Sequence, residues 1–516
     1  IAAILKAADV RVLVTLGPAP KTDLWRKVQS ILGTLPKLRA VLTVDPTRYV
    51  GGLKRLAARV VRTGPSTPKS VSCEDFHHGL ARMSATGLTA SRHVTQDSLA
   101  ALFHTGGTTG VPKLARHTHF NQRFMAWVLS RSAEMGPGQT VLCGLPLFHV
   151  NAALVTGLSP FSVGAHVLMA GAQGYRSPGI VENFWSIVER YRVTTFSGVP
   201  TLFASLLNQP MGAHDLSSLR FAVCGAAPMP PETFKRFEDH TGIPILEGYG
   251  LTEGTCASAI NPMHGVRHIG SVGLRLPYQQ VRIAELDETG NIARDLPAGE
   301  TGTLLIKGPN VFAGYVDARA NEGVLLEDGW LNTGDLARQD DNGYLWLSGR
   351  AKDIIIRGGH NIDPQIIEDA LTQHPDVSMA AAVGRPDAYA GELPVAYVVL
   401  RPGAETSEES LMAHARSSVP ERAAVPATIT ILDDMPVTAV GKTFKPPLRA
   451  RAAEQGIQAA LAKKSIEAHV TAQVTKDGIQ ATVTPALAGD ATHIRHIVAD
   501  LPVHVTVTDP VARTGS

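Results

Sequence analysis

The stretch Leu102-Phe103-His104-Thr105-Gly106-Gly107-Thr108-Thr109-Gly110-Val111-Pro112-Lys113 decides how the rest of this chain is read. It begins apolar and turns polar at His104. It then sets three glycines, three threonines and a lysine within ten residues. Glycine has no side chain, so the backbone can turn tightly and aim its N–H groups at a ligand. Threonine hydroxyls can donate to phosphate oxygens, and Lys113 adds a positive charge at the rim. This is the composition of a loop that cradles an anion. It is not a Walker A loop, because no Gly-Lys-Ser/Thr follows the glycines. A Gly/Thr-rich surface turn is the plainer alternative.

On both sides of this loop, short aliphatic strands alternate with helices. Upstream, the pattern predicts a helix from the first residues, strands at Val10–Thr15 and Ala40–Val44, a helix over Thr22–Leu35, another over Phe76–Ala85 and a strand from Ser98 to Thr105. Downstream it predicts helix at His119–Arg131, then strands at Thr140–Leu145, Ala165–Met169, Thr194–Ser197, Leu219–Cys224 and Ile245–Glu247. Helices over Val181–Tyr191, Pro200–Leu207 and Pro231–Thr241 separate them. Such alternation implies sheets covered by helices, with ligands at the carboxyl ends of the strands. Those ends carry chemistry. Pro146-Leu147-Phe148-His149-Val150-Asn151 offers polar groups for a pocket wall, although a satisfied core histidine fits His149 as well. Gly225-Ala226-Ala227-Pro228 is a tight small-residue turn. In Gly248-Tyr249-Gly250-Leu251-Thr252-Glu253, Tyr249 offers an aromatic face that no sequence neighbour shields. Glu253 there can hold a divalent cation beside a phosphate.

From Gly270 the texture changes to short strands between Gly, Asn and Asp turns, which predicts a small, more antiparallel subdomain. Asp335 follows a glycine there and could accept two hydrogen bonds from a ribose diol; an ordinary turn is the alternative. The charged run Ser348–Asp353 reads as a hinge or as a solvated turn. Beyond it lies an α+β domain of ordinary size, closing on Gly441-Lys442-Thr443-Phe444-Lys445. Residues 453–516 form a further tail: a helix to about Lys463, a hairpin around Lys476-Asp477-Gly478, a helix at Ala491–Val498 and a strand at Val503–Val507.

Composition narrows the classes. Hydrophobic residues make up 44% and charged residues 18%, so the chain is globular rather than disordered. A net charge of +2 argues against a dedicated nucleic-acid binder. Four widely spaced cysteines form neither a zinc knuckle nor a disulfide scaffold and fit a reducing cytoplasm. No apolar run reaches transmembrane length. The chain opens at Ile1 inside a helical pattern.

Seven segments in this order resemble the adenylate-forming superfamily, the acyl- and aryl-CoA synthetases together with luciferases and peptide-synthetase adenylation domains. They are HTGGTTGVPK at 104–113, Phe148-His149, GAAP at 225–228, YGLTE at 249–253, GWLNTGDL at 329–336, GRAKDIIIRGGHNIDP at 349–364 and GKTFK at 441–445. The resemblance covers about residues 1–450. It implies an α/β fold: a large N-terminal domain of stacked helix-covered sheets with a small β subdomain over residues 1–349, and a small mobile α+β domain over 350–452. The α/β tail over 453–516 is additional to the family pattern.

The resemblance also implies roles. Thr105, Gly106, Thr108, Thr109, Gly110 and Lys113 would handle the triphosphate of ATP. Gly225, Ala226 and Ala227 would line the adenine and acyl site, with Tyr249 against the adenine and Thr252 on the phosphate. Glu253 would hold magnesium, and Asp335 and Arg350 the ribose hydroxyls. Lys442 would reach the carboxylate and α-phosphate, while His149 would gate the acyl pocket. Lys352 would be the hinge, and Gly358 and Gly359 would line the tunnel of the thiol acceptor, coenzyme A. The implied activity is AMP-forming acyl-CoA ligation in the cytoplasm, of a fatty acid first and an aromatic acid second, by a chain that could form a homodimer. Alternatives are transfer to a carrier-protein phosphopantetheine, a luciferase-like oxidation, and a catalytically dead scaffold. The tail has no Asp-Ser-Leu/Ile attachment site, which favours free coenzyme A, and intact Glu253, Asp335, Arg350 and Lys442 speak against a dead scaffold. The expected acyl wall comprises Phe148, His149, Asn151, Val199, Pro200, Gly225, Ala226 and Gly248. No Arg or Lys stands out there to meet a second carboxylate. Three features depart from the family pattern: about a hundred further residues are expected before Ile1, two prolines follow Lys445, and the tail is extra.

Overall fold

The computed structural model describes residues 1–19, 22–49, 67–87, 92–105, 113–350, 353–358, 360–439, 441–475, 478–499 and 501–508. The chain divides into two compact units. One comprises residues Ile1–Gly106, Val111–His119 and Tyr315–Ala318, and the other Gly107–Gly110, Phe120–Gly314 and Arg319–Ser516.

In the first unit, β1 (Val12–Leu16), β2 (Ala40–Val44) and β3 (Ser72–Asp75) form a parallel sheet. The helix Leu24–Leu32 buries Trp25, Val28 and Leu32 in one core with Leu38, Val41 and Val71. β4 (Leu99–Thr105) pairs antiparallel with β5 (Lys113–Thr118). The sequence pattern missed β5 and ran straight into the following helix, His119–Ser132. Lys113-Leu114-Ala115-Arg116-His117-Thr118 carries too many cationic groups to read as a strand. Its apolar side is nonetheless real, since Leu114 and Ala115 are buried.

In the second unit the parallel strands run in the order β7 (His166–Met169), β6 (Thr140–Cys143), β8 (Thr195–Gly198), β9 (Phe221–Cys224), β10 (Ile245–Tyr249). All four residues of β8 and of β9 are buried, as a sheet covered on both faces requires. The helices Phe184–Tyr191, Pro200–Leu207 and Pro231–Thr241 cover one face around Phe184, Phe196, Phe203 and Phe237. The antiparallel strands expected after Gly270 are present: β12 (Gly273–Arg275), β13 (Gln280–Leu286), β14 (Ile292–Asp295), β15 (Gly302–Lys307), β16 (Leu331–Gln339) and β17 (Tyr344–Arg350); the short β11 (Ala259–Ile260) precedes Gly270 and was not expected. They are joined to the parallel strands rather than set apart. β11 pairs with β10 and β12 with β11, giving one path of twelve strands.

Next come β18 (Ile355–Arg357), β19 (His360–Ile362), β20 (Val377–Asp387), β21 (Gly391–Leu400) and β22 (Ile429–Ile431), a five-stranded sheet. The helices Pro364–Thr372 and Glu408–Ser418 share its core. Each has an N-cap, Asp363 accepting from the N–H of Gln365 and Ser407 from that of Ser410.

The tail folds as expected. β23 (Ala468–Thr475) and β24 (Gly478–Pro485) form the hairpin, and β25 (His504–Val507) joins β24 in parallel. Its helix differs from expectation. It begins at Lys445 rather than near 453 and runs to Ala462. Pro446 and Pro447 occupy its first turn, where backbone N–H groups have no intrahelical acceptor, so proline starts this helix instead of breaking it. Its first half, through Leu448 and Ala452, packs with Val383, Val395 and Tyr397 of the five-stranded sheet. Its second half, through Ile457 and Leu461, packs with Val470, Val483 and Ile494 of the tail. Among the described residues, no helix is long and apolar enough to cross a membrane.

Candidate functional site

The chemistry gathers at the carboxyl ends of β8, β9 and β10. Gly225 N–H donates to the carbonyl of Gly198 at 3.3 Å, and a Cβ on Gly225 would lie 3.2 Å from the carbonyl oxygen of Gly248. Three neighbouring strand ends therefore meet through glycines. Ala226 has φ +75°, a left-handed conformation that a non-glycine residue adopts only when its surroundings hold it there. It packs against Leu145, Ala152 and Val199.

β10 ends on Tyr249, whose hydroxyl donates to Oδ2 of Asp335 at 2.5 Å. The two residues expected to meet adenine and ribose thus touch, although 86 residues separate them. Tyr249 is 8% exposed, so the open aromatic face suggested by its sequence neighbours is covered. Its backbone is fixed from further along the chain: Tyr249 pairs with Ala259, and its carbonyl accepts from Ser258. Asp335 is 7% exposed and pairs in register with Arg350 of β17, of which only the backbone is described.

Thr252 and Glu253 sit on a 3-10 turn, Thr252–Gly254, between two tight constraints. At Gly250 a Cβ would lie 1.6 Å from the carbonyl oxygen of Cys256, so only glycine fits. After the turn, Thr255 has φ +63°, and its hydroxyl donates to the Asn310 carbonyl at 2.6 Å. The Glu253 carbonyl accepts from Phe312 at 2.9 Å. Glu253 is half-buried on this pinned turn. No group of three or more His, Cys, Asp or Glu residues is arranged to hold a metal among the described residues. A single carboxylate fits magnesium, which keeps most of its water and binds through one or two protein carboxylates plus substrate phosphates.

His149 lies in the turn Leu147-Phe148-His149 after β6. Its Nδ1 accepts from the N–H of Asn151 at 3.3 Å, which leaves the proton of the neutral ring on Nε2. Burial first, and then the nearby Lys442 ammonium, push its pKa down to about 4, so the imidazole is neutral at pH 7. Lys442 therefore comes to the large sheet from the far end of the sequence. Its loop is a tight turn: Thr438 N–H donates to the Lys442 carbonyl at 2.7 Å, and Gly441 has φ +82°. The Thr201 hydroxyl donates to the Gly441 carbonyl at 3.2 Å, and a Cβ on Gly441 would lie 3.1 Å from Cγ2 of Val199. Thr201 was not singled out from the sequence. It reads only as an early residue of a helix, and nothing local marks its partner 240 positions away.

Of the expected acyl wall, His149, Asn151, Val199 and Ala226 are buried or half-buried, whereas Phe148 is 64% exposed. Gly358, φ +55°, lies between β18 and β19, with its N–H donating to Ala390. Thr105 and Lys113 pair in register in the first unit, where the Lys113 ammonium lies 5.2 Å from the Tyr315 ring centroid. Gly106, Thr108, Thr109, Gly110, Lys352 and Gly359 lie outside the described residues.

Matches to known proteins fit this geometry. The model of the AMP-binding enzyme family matches residues 1–316, and that of the AMP-binding enzyme C-terminal domain matches residues 366–442, ending on the lysine. The chain belongs to the AMP-binding enzyme family. Marinolic acid–CoA ligase of Pseudoalteromonas sp. (strain SANK 73390) is 44% identical over 87% of this chain and 66% of its own length. Sulfoacetate–CoA ligase of Cupriavidus necator is 36% identical over 73% of each. This chain thus spans about two thirds to three quarters of the length of these two relatives. Among solved structures, the anthranilate CoA ligase AuaEII in complex with anthranoyl-AMP superposes with a TM-score of 0.74 at 26% identity, covering 87% of this chain and 80% of that one. As a member of this family, the chain carries at Lys442 the last residue of its C-terminal domain match.

Proposed function

We propose that this chain is an AMP-forming acid–thiol ligase. It couples a carboxylic acid to ATP, releasing pyrophosphate, and then passes the acyl group to coenzyme A, releasing AMP. The observation that carries this reading is the Lys442 loop seated on Val199 and Thr201 beside a neutral His149. The relatives described above, all CoA ligases, support coenzyme A as the thiol.

A carboxylate is a poor electrophile because its leaving group would be oxide. Attack of its oxygen on the α-phosphorus of ATP forms a mixed anhydride and expels pyrophosphate. The barrier is largely electrostatic, since two anions must meet. Lys442 lowers it by placing an ammonium where charge builds up. Magnesium, held by Glu253 and the phosphates, would screen the leaving pyrophosphate. Tyr249 and Asp335 hold the nucleoside, with Arg350 on the ribose, while Thr252 and the loop Thr105–Lys113 hold the phosphates. Neutral His149 closes the acyl side without adding a second cation. The thiolate of coenzyme A then attacks the acyl carbon, and AMP departs.

Lys442 serves only the first step, so the unit 350–452 turns about Lys352 to bring Gly358 and Gly359 to the thiol, as a two-step cleft requires. The large domain is 1–349, and 453–516 is an extension of the mobile unit. The working compartment is the cytoplasm. The reading is tested by coenzyme A-dependent AMP release across aliphatic, benzoate- and cinnamate-type acids, with pyrophosphate exchange measured beside it. Thioester product is the expected result. Exchange without any thioester would point to a carrier-bound phosphopantetheine as acceptor, and absence of both would overturn the proposal.

A further inference from the structure

One wall of the acyl side is built differently from a hydrocarbon slot. Side chains on a strand alternate between faces. In β8, Phe196 lies in the aromatic core with Phe184 and Phe203, so Thr195 and Ser197 point to the opposite face. Cys143 of β6 sits beside Ser197, because Val141 pairs with Thr195 and Leu142 with Phe196. The Cys143 thiol points to the Ala152 carbonyl at 3.9 Å, and Ala152 belongs to the π-helix Asn151–Leu158. The face carrying Thr195 and Ser197 is therefore the one on which the π-helix packs. π-Helical turns are rare and recur at functional sites.

Three polar atoms in this layer are buried and have no hydrogen-bond partner: Oγ1 of Thr195, Oγ of Ser197 and Oδ1 of Asn151. Thr195 is 3% exposed, Ser197 1% and Asn151 9%. The layer can satisfy a hydroxyl when it needs to. Thr156 on the same π-helix donates to the Ala152 carbonyl at 3.3 Å. Buried polar groups are almost always paired, with protein, water or ligand. Three unpaired ones in a single layer point to a partner supplied from outside the chain. Two of them lie close in sequence to residues assigned to the chemistry. Asn151 is two residues from His149. Ser197 lies four residues before Thr201, which holds the Lys442 loop. Thr195 lies about 7 Å further down the same face.

We propose that the acid taken by this site carries oxygen functions along its chain, hydroxyl groups above all, and that Asn151, Ser197 and Thr195 select for them. This rests on the acid–thiol ligase reading. With its carboxylate at Lys442, an extended acyl chain running beside β8 would meet Ser197 first and Thr195 next. A plain alkyl chain would leave all three polar groups unpaired, and sites built to hydrogen-bond a hydroxyl reject analogues that lack it.

The experiment compares kcat/KM for a long-chain acid bearing mid-chain hydroxyls with that for the unsubstituted acid of equal length, in the full chain and in Ser197→Ala, Thr195→Val and Asn151→Leu. The expected result is a preference of about tenfold or more for the hydroxylated acid, falling toward unity in Ser197→Ala and Thr195→Val. Thr195→Ser should retain it. Taking a ratio within each variant removes any general loss of folding or activity. A preference for the unsubstituted acid, or a ratio that the substitutions leave unchanged, would overturn the inference while leaving the ligase reading intact. Failure of every acid, in exchange as well as in thioester formation, would instead overturn the ligase reading and this inference with it.

Discussion

Lys442 and His149 are 293 positions apart in a chain of 516, yet the Lys442 ammonium adds to the burial that keeps the His149 ring neutral. Lys442→Ala should slow adenylation by about 10²–10³-fold and largely spare thioester formation from a supplied acyl-adenylate. Partial-reaction kinetics separate the two, and equal loss of both would remove its assigned role. His149 is held neutral down to about pH 4. His149→Asn should therefore leave the shape of the pH–rate profile between about pH 5.5 and 7.5 unaltered, a range in which an ordinary histidine titrates.

A third residue, Glu247, carries a different consequence. It is 2% exposed, with Oε1 accepting from the Met229 N–H and Oε2 unpartnered. Burial pushes its pKa up to about 8 against that hydrogen bond, and the Asp369 carboxyl adds to the rise. Burial likewise raises Asp369 to about 7, opposed by its hydrogen bond from Gln365 and aided by Glu368 and Asp363. A carboxyl whose pKa is higher folded than unfolded binds its proton more tightly in the folded state. Its contribution is complete below the ordinary carboxylate range and is lost as pH rises through about 7 to 8. Melting temperature should fall from the ordinary carboxylate range up to about pH 8 and level off above it. Glu247→Gln should flatten the fall, raising Tm by about 2–4 °C at pH 8.5 and changing it little at pH 5. Calorimetry across pH checks this.

Among the elements, those that follow from local chemistry were legible in the sequence. Ala40–Val44, Pro200–Leu207, Pro231–Thr241 and Ala491–Val498 begin and end where their patterns do. Proline at the first turn and a left-handed glycine at the end bracket Pro231–Thr241, with Gly242 at φ +69°. The candidate site residues were legible as types at the ends of strands. Their meetings were not. Tyr249 with Asp335 and Thr201 with Gly441 are long-range pairings that no local pattern encodes. The strand Lys113–Thr118 was hidden by its cations, and the start of the helix at Lys445 by prolines that ordinarily signal a stop. At this scale, Gly250→Ala is the severe change. Its Cβ would collide with the backbone at Cys256, so the turn bearing Glu253 cannot keep its shape. The variant should lose both soluble yield and exchange activity, checked by Tm and pyrophosphate exchange. Thr201→Val, by contrast, removes one hydrogen bond from the lysine loop, worth about 1 kcal/mol, and should slow adenylation several-fold without changing the fold.

For the whole molecule, the helix Lys445–Ala462 governs what can be cut. Ending the chain at residue 452 would divide it, removing Ile457 and Leu461 and leaving Leu448 and Ala452 on a helix too short to hold its shape. Such a chain should melt at a lower temperature than one ended at residue 464, which keeps the helix whole. The same helix ties the tail to the lysine. One rod with a half in each of two cores behaves as an axle. Whatever turns the five-stranded sheet and Lys442 also carries the hairpin β23–β24, like the hand of a dial. A dye at Leu487, 68% exposed, would then read the enzyme's working stroke at a distance from the chemistry. Its signal should step once per turnover, between adenylate formation and thioester release.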